Sequence, residues 1–206
     1  MQYLRRGAIA LLLMIAGPGS TSAQPAPTEE TSAHLAAATA IQAQTRARLG
    51  VLGDAFTCAD ARLVSFRRSD AEPEIVEQWY VASQLWADAV LLEAAPAVDG
   101  WDPLETRCEI DKGFVFLDRL WDFTSAGYFA RANPVGTRVE AGPRYTDDNL
   151  VAGLALLAAA RTVTDPQAAR RYIHAAERQA DFLLNLREAA VWDDTFGGGL
   201  WWRPHA

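Results

Sequence analysis

Cysteine is almost absent from this 206-residue chain, and the two that occur, Cys58 and Cys108, are too far apart and too poor in nearby histidine for a zinc site. They leave room for one disulfide or for two buried thiols. The three histidines, His34, His174 and His205, are isolated and read as structural or solvated. There is no H-E-x-x-H pattern and no serine or cysteine in a nucleophile-elbow context, so zincin and triad-hydrolase chemistry have no support. Basic residues are sparse and scattered, and the formal net charge is -7. Without a basic stripe to neutralise phosphates, nucleic acid is not an expected partner, whereas neutral sugars are compatible. Long apolar runs are missing too: the stretch Ala8 to Ala16 is too short to span a bilayer comfortably, and nothing after it is long and uncharged enough, so no mature transmembrane helix is expected.

What is present begins with an export signal. Arg5 and Arg6 precede the apolar run, Gly17, Pro18 and Gly19 break it, and Thr21 and Ala23 suit cleavage after Ala23. Residues 1–23 therefore read as a signal peptide, which implies a secreted or periplasmic protein with no membrane contact after cleavage. Residues 24–32, with Pro25, Pro27, Glu29 and Glu30, read as a flexible linker, and residues 33–206 as domain. About half of the composition is apolar, enough for one globular domain with a real core.

Helical periodicity runs through that domain. His34 to Leu49 is an alanine-rich helix stopped by Gly50 and Gly53. Glu74 to Glu93 follows with Pro73 at its first turn and with Ile75, Trp79, Ala82, Leu85, Trp86, Ala89 and Leu92 on one face. Pro96 to Pro103 is a connection, and Gly113 precedes a helix through Phe116, Leu120 and Phe123. Asp148 to Arg161 is a helix of small and aliphatic residues, and Asp165 as N-cap with Pro166 in the first turn opens the last, whose apolar face carries Tyr172, Ala176, Ala180, Leu183 and Leu184. No strong strand alternation appears, so the expected class is all-α. Repeated helix-turn-helix units fit either a helical solenoid or an α/α toroid, between which periodicity does not choose.

Two constellations bear chemistry. Tyr145, Asp147, Asp148 and Asn149 stand where a glycine-rich loop enters a helix. Glycoside hydrolysis needs one protonated carboxyl to assist the leaving oxygen and one ionised carboxylate to attack or to activate water, and neighbouring aspartates are compatible with the gap of about 5 to 5.5 Å of a retaining mechanism. The same aspartates also suit a helix cap and first turn, which would be structural. The second constellation is Trp192, Asp193, Asp194, Thr195, Phe196, Gly197, Gly198, Gly199, Leu200, Trp201 and Trp202. Its indoles could stack on sugar rings while the glycines let backbone approach, or the tryptophans could be core around a tight turn.

In order, the run YTDDNLVAGLALLAAARTVTD from Tyr145, a helix, and then WDDTFGGGLWW from Trp192 resemble glycoside hydrolase family 76, the endo-α-1,6-mannanases. The upstream segment FLDRLWDFTSAGYFARAN from Phe116 is similar to that family's approach to its active-site helix. The likeness covers Gly113 to Trp202. It implies an (α/α)6 barrel of inner and outer helices with a cleft at one end, present here as a partial, apparently truncated toroid. It implies retaining hydrolysis of α-1,6-linked mannan without metal or organic cofactor, with Asp147 as nucleophile and Asp148 as acid/base. Tyr145, Asn149, Trp192, Asp193, Asp194, Gly197, Gly198, Gly199, Trp201 and Trp202 would bind substrate. Phe196 stands where many relatives have cysteine, a changed local contact. The competing expectations are a non-catalytic glycan-binding relative and a helical-repeat protein-interaction module.

Overall fold

The computed structural model describes residues 29–49, 67–69, 72–94, 102–133, 142 and 144–188. Along them run α1 (Glu29–Leu49), β1 (Arg67–Ser69), β2 (Glu72–Glu77), α2 (Gln78–Ala94), α3 (Pro103–Leu120), β3 (Arg131–Ala132), α4 (Thr146–Arg161) and α5 (Pro166–Glu188). Among the described residues no helix is long and apolar enough to cross a membrane.

Local chemistry explains most helix ends. Asp165 caps α5, its two carboxylate oxygens accepting from the amides of Gln167 at 3.0 Å and Ala168 at 3.2 Å, with Pro166 next in sequence. Asp102 caps α3 in the same way through the Leu104 amide at 2.8 Å. Pro103, expected in a connection, thus opens a helix, and Gly113 lies inside it, where an added Cβ would come within 3.1 Å of Leu85. That helix ends at Leu120, so Phe123 is in the following turn and 79% exposed. Helix α1 starts at Glu29, inside the expected linker. Its first-turn Glu29 and Glu30 and last-turn Arg46 and Arg48 oppose the helix dipole.

The all-α class is accompanied by one small sheet that the helical periodicity did not announce. Glu72–Glu77, whose last four residues were expected to open the helix from Glu74, is the middle strand of an antiparallel sheet in the order β1-β2-β3. Val76 pairs with Ala132 and Glu77 with Arg131, and α2 begins only at Gln78. On its other edge β2 pairs with β1 just before it in sequence, Ser69 opposite Glu72 and Arg67 opposite Val76, so the strand is made by pairing on both sides and not by any alternation of its own residues. Helix α2 is also rolled relative to expectation. Trp79 and Trp86 are each 38% exposed, whereas Gln78, Gln84 and Asp88 join Ala82, Leu85 and Ala89 inside. In α5, Leu184 faces out and Phe182 takes the buried place.

Polar ties set the directions of the helices. The first residue of α2 and the first turn of α4 meet where Gln78 Nε2 donates to the Asp148 carbonyl at 2.9 Å. Their far ends meet where Arg161 pairs with Glu93 at 2.9 Å, so α2 and α4 run parallel. Helices α3 and α5 are likewise parallel: the Tyr172 hydroxyl donates to Asp111, and Arg178 pairs with Asp118 at 2.8 Å. Arg107 near the start of α3 donates to the Thr162 carbonyl at the end of α4, which makes the two pairs antiparallel. With α2 packed on α3 and α4, and α4 packed on α5, two helical hairpins stand side by side with their first helices in contact.

This is the all-α arrangement of a partial α/α toroid. Its core joins Leu85 of α2, Phe116 and Leu120 of α3, Ala155 and Leu156 of α4, and Tyr172 and Phe182 of α5. Full burial of each large side chain contributes about 1.5 to 3 kcal/mol. Cys108, buried in α3, is disulfide-bonded, which decides between the two thiol expectations; Cys58, the chain's other cysteine, lies outside the described residues.

Candidate active site

The site is assembled where the parallel helices α2 and α4 begin. A tight hairpin leads into it: Trp121 bridges Tyr128, and the Asp122 amide donates to the Gly127 carbonyl at 2.9 Å. Gly127 has φ of +83°, and a Cβ there would lie 2.8 Å from the ring of Phe182, so conformation and space both require glycine. Asn149 clamps this hairpin to α4. Its Oδ1 accepts from the Tyr128 amide at 2.6 Å, and its Nδ2 donates to the carbonyls of Tyr128 at 3.1 Å and Tyr145 at 2.8 Å. Asn149 is 0% exposed. The residue expected to touch sugar therefore spends its amide on three backbone groups that position the aspartates before it.

Gln78 supplies the second clamp. Its amide donates to the Ala130 carbonyl at 2.9 Å while its side chain holds the Asp148 carbonyl. It is fully buried, and its Oε1 has no hydrogen-bond partner among the described residues. Arg144 completes the frame, pairing with Asp122 at 2.6 Å and lying over the Phe129 ring.

Within this frame neither aspartate of the pair is a helix cap. The N-cap is Tyr145, which makes no side-chain capping bond, so Asp147 and Asp148 lie in the first turn beyond it. Successive side chains on a helix diverge by about 100°. Accordingly Asp147 is exposed and Asp148 half-buried. The Asp148 carboxyl is pushed up to about 7, chiefly by burial, then by the negative charges of Asp147 and Glu77. Glu77 sits at the end of β2 and pairs with Arg131 Nε at 3.4 Å. Tyr145 is half-buried beside the pair.

Trp192, Asp193, Asp194, Gly197, Gly198, Gly199, Trp201 and Trp202 lie outside the described residues, as do Thr195, Phe196 and Leu200. The structure thus brings together Tyr145, Asp147, Asp148 and Asn149. It adds Glu77 and Gln78, which sequence reasoning placed within a helix and left without a role. Their only sequence signal was polarity in an otherwise apolar stretch.

An acid that holds its proton near neutrality beside an exposed carboxylate is the equipment for general acid catalysis paired with nucleophilic or base chemistry. The fold that carries it, a partial α/α toroid, has counterparts among solved structures. The chain is similar to cellobiose 2-epimerase from Spirochaeta thermophila DSM 6192, with a TM-score of 0.56 and 19% identity over 87% of this chain and 41% of that one. It is also similar to the β-1,3-1,4-glucanase from Paenibacillus sp. X4, with a TM-score of 0.55 and 12% identity over 83% of this chain and 40% of that one. The chain therefore spans about two-fifths of the length of either. Both are α/α-barrel enzymes, and at these identities the likeness defines the fold class. No family model matches the chain. No curated protein sequence does either.

Proposed function

We propose that the protein is a glycan-processing enzyme, and specifically a retaining endo-α-1,6-mannanase that works through Asp147 and Asp148. The observation that carries the reading is the split environment of two adjacent carboxyls. Asp148 is half-buried among negative charge and holds its proton to about pH 7, while Asp147 is open to solvent at the mouth of the parallel helices. Acid and nucleophile roles follow from such a split. The barrel shared with two enzymes named for sugar substrates supports the glycan class. The mannan linkage rests on the likeness of the 145–202 motifs to family 76.

In the proposed reaction the Asp148 proton passes to the glycosidic oxygen as the Asp147 carboxylate bonds to the anomeric carbon. The carbon–oxygen bond breaks and its electron pair leaves with the departing sugar. Water then gives a proton to Asp148 while its oxygen displaces Asp147 from the anomeric carbon, restoring both groups with net retention. Residues 192–202 would add stacking subsites, and the leader at residues 1–23 would deliver the enzyme to the periplasm or the medium.

The test is reducing-end release from linear α-1,6-mannan, with product anomers followed by NMR. Asp147→Asn and Asp148→Asn should each lower turnover more than about a thousandfold with unchanged circular dichroism. Near-normal turnover in either variant would sink the assignment. Mannan binding without any cleavage by the unaltered protein would favour a non-catalytic glycan binder instead.

A further inference from the structure

Glu77 belongs to no motif, yet several contacts converge on it. It is the last residue of β2, its ladder partner is Arg131 of β3, and the same two side chains form an ion pair at 3.4 Å. The next residue, Gln78, is fully buried and bonded to both the Ala130 carbonyl and the Asp148 carbonyl at 2.9 Å. The backbone carrying Glu77 is therefore tied on one side to the strand that carries Arg131 and on the other to the first turn of α4. The Glu77 side chain is 21% exposed and that of Arg131 49%. A half-exposed guanidinium neutralises its partner incompletely, because water screens it.

We propose that Glu77, clamped by Arg131, is the third carboxylate of this site, a positioning residue that acts through Asp148 rather than on the glycan. The inference rests on the acid role assigned to Asp148 above. Among the described residues the charges that bear on Asp148 are those of Asp147 on its own helix and Glu77 at the end of β2, both negative. Each disfavours a second charge on Asp148, so the proton stays on until a leaving oxygen takes it. Asp147 alternates between carboxylate and ester during turnover and loses its charge in the intermediate. Glu77 does not react, and its charge persists through both steps. Arg131 sets how much of that charge Asp148 feels.

The test is an NMR titration of the Asp148 carboxyl in the intact protein, run beside the pH profile of mannan cleavage. In Glu77→Gln the Asp148 midpoint and the alkaline limb should move down together by about half a unit or more, lowering activity at pH 8 about threefold relative to pH 6. In Arg131→Gln, where the Glu77 charge is released, both should move up. Opposite shifts are the signature of charge, since loosening the β2–β3 pairing would act alike in the two variants. A midpoint that is unmoved in both, or that moves in the same direction in both, overturns the proposal. If Glu77→Gln does not fold, Arg131→Gln alone decides by the sign of its shift. If the midpoints shift oppositely and no glycan is cut, the Glu77 role stands and the hydrolase reading falls. If mannan is cut and the midpoints stay fixed, the reverse holds.

Discussion

Asp88 in the middle of α2 and Asp148 at the start of α4 are both drawn up by burial, yet they keep opposite company. Asp88 is 1% exposed and accepts from Arg46 and from Gln42 Nε2 at 2.9 Å, so α1 is fastened to α2 through a buried charge with partners, which offset part of the upward push. Asp148 is less buried, and the charges that bear on it among the described residues, those of Asp147 and Glu77, are negative. A compensated buried carboxylate holds two helices together; an uncompensated one is a proton store. The contrast separates structural from chemical aspartates more sharply than burial does.

Breaking the compensated site should have the largest effect on stability. Arg46→Met leaves Asp88 buried with Gln42 as its remaining partner at that oxygen and should cost about 3 kcal/mol in urea unfolding, with little change in chemistry at the far mouth. A loss below about 0.5 kcal/mol would place Asp88 among ordinary surface aspartates.

The uncompensated site should behave in the opposite sense. A carboxyl whose folded value lies near 7 rather than near 4 binds more protons in the folded state between those limits. The contribution of Asp148 to stability is then largest below about pH 4, falls as pH rises through that window, and levels off above 7. Asp148→Asn removes this slope, so the variant should be more stable than its parent at pH 8 by about 1 to 2 kcal/mol, once solvent screening of a half-buried group is allowed for. On the proposed mechanism the same substitution should abolish turnover, and a variant that loses both activity and stability at pH 8 would count against the reading of Asp148.

A third aspartate calibrates the smallest effect. Asp165 also stands at a helix start but makes two capping bonds, and Asp165→Ala should lower stability by about 1 kcal/mol while leaving the proposed activity unchanged. An unchanged melting temperature would show that these caps contribute little here.

Much of this was legible in the order of residues. The Asp165–Pro166 start, the helix through Leu156 and the all-α class are visible because capping and periodicity act within one or two turns. The pair at 147 and 148 could be singled out as carboxylates at a helix start, although spacing alone left open whether they were caps. Three things were not legible. Glu72–Glu77 becomes a strand by pairing with residues 67–69 on one side and 131–132 on the other; Trp79 and Trp86 turn outward because Gln78 and Asp88 find partners inside; and Asn149 becomes a clamp because the Tyr128 hairpin lies over it.

The sequence by itself determined the all-α class, the approximate places of the helices and a pair of neighbouring carboxylates at a helix start, since each depends on side chains a few positions apart. Only the tertiary structure decided that Gln78 and Asp148, seventy residues apart, would meet, that Glu77 would bear on the acid from across the site, and that Tyr145 rather than an aspartate would take the cap. The reason is physical. Helix formation is settled by bonds between near neighbours, whereas the proton affinity of a carboxyl is set by burial and by charges, which depend on distance in space and not on distance along the chain.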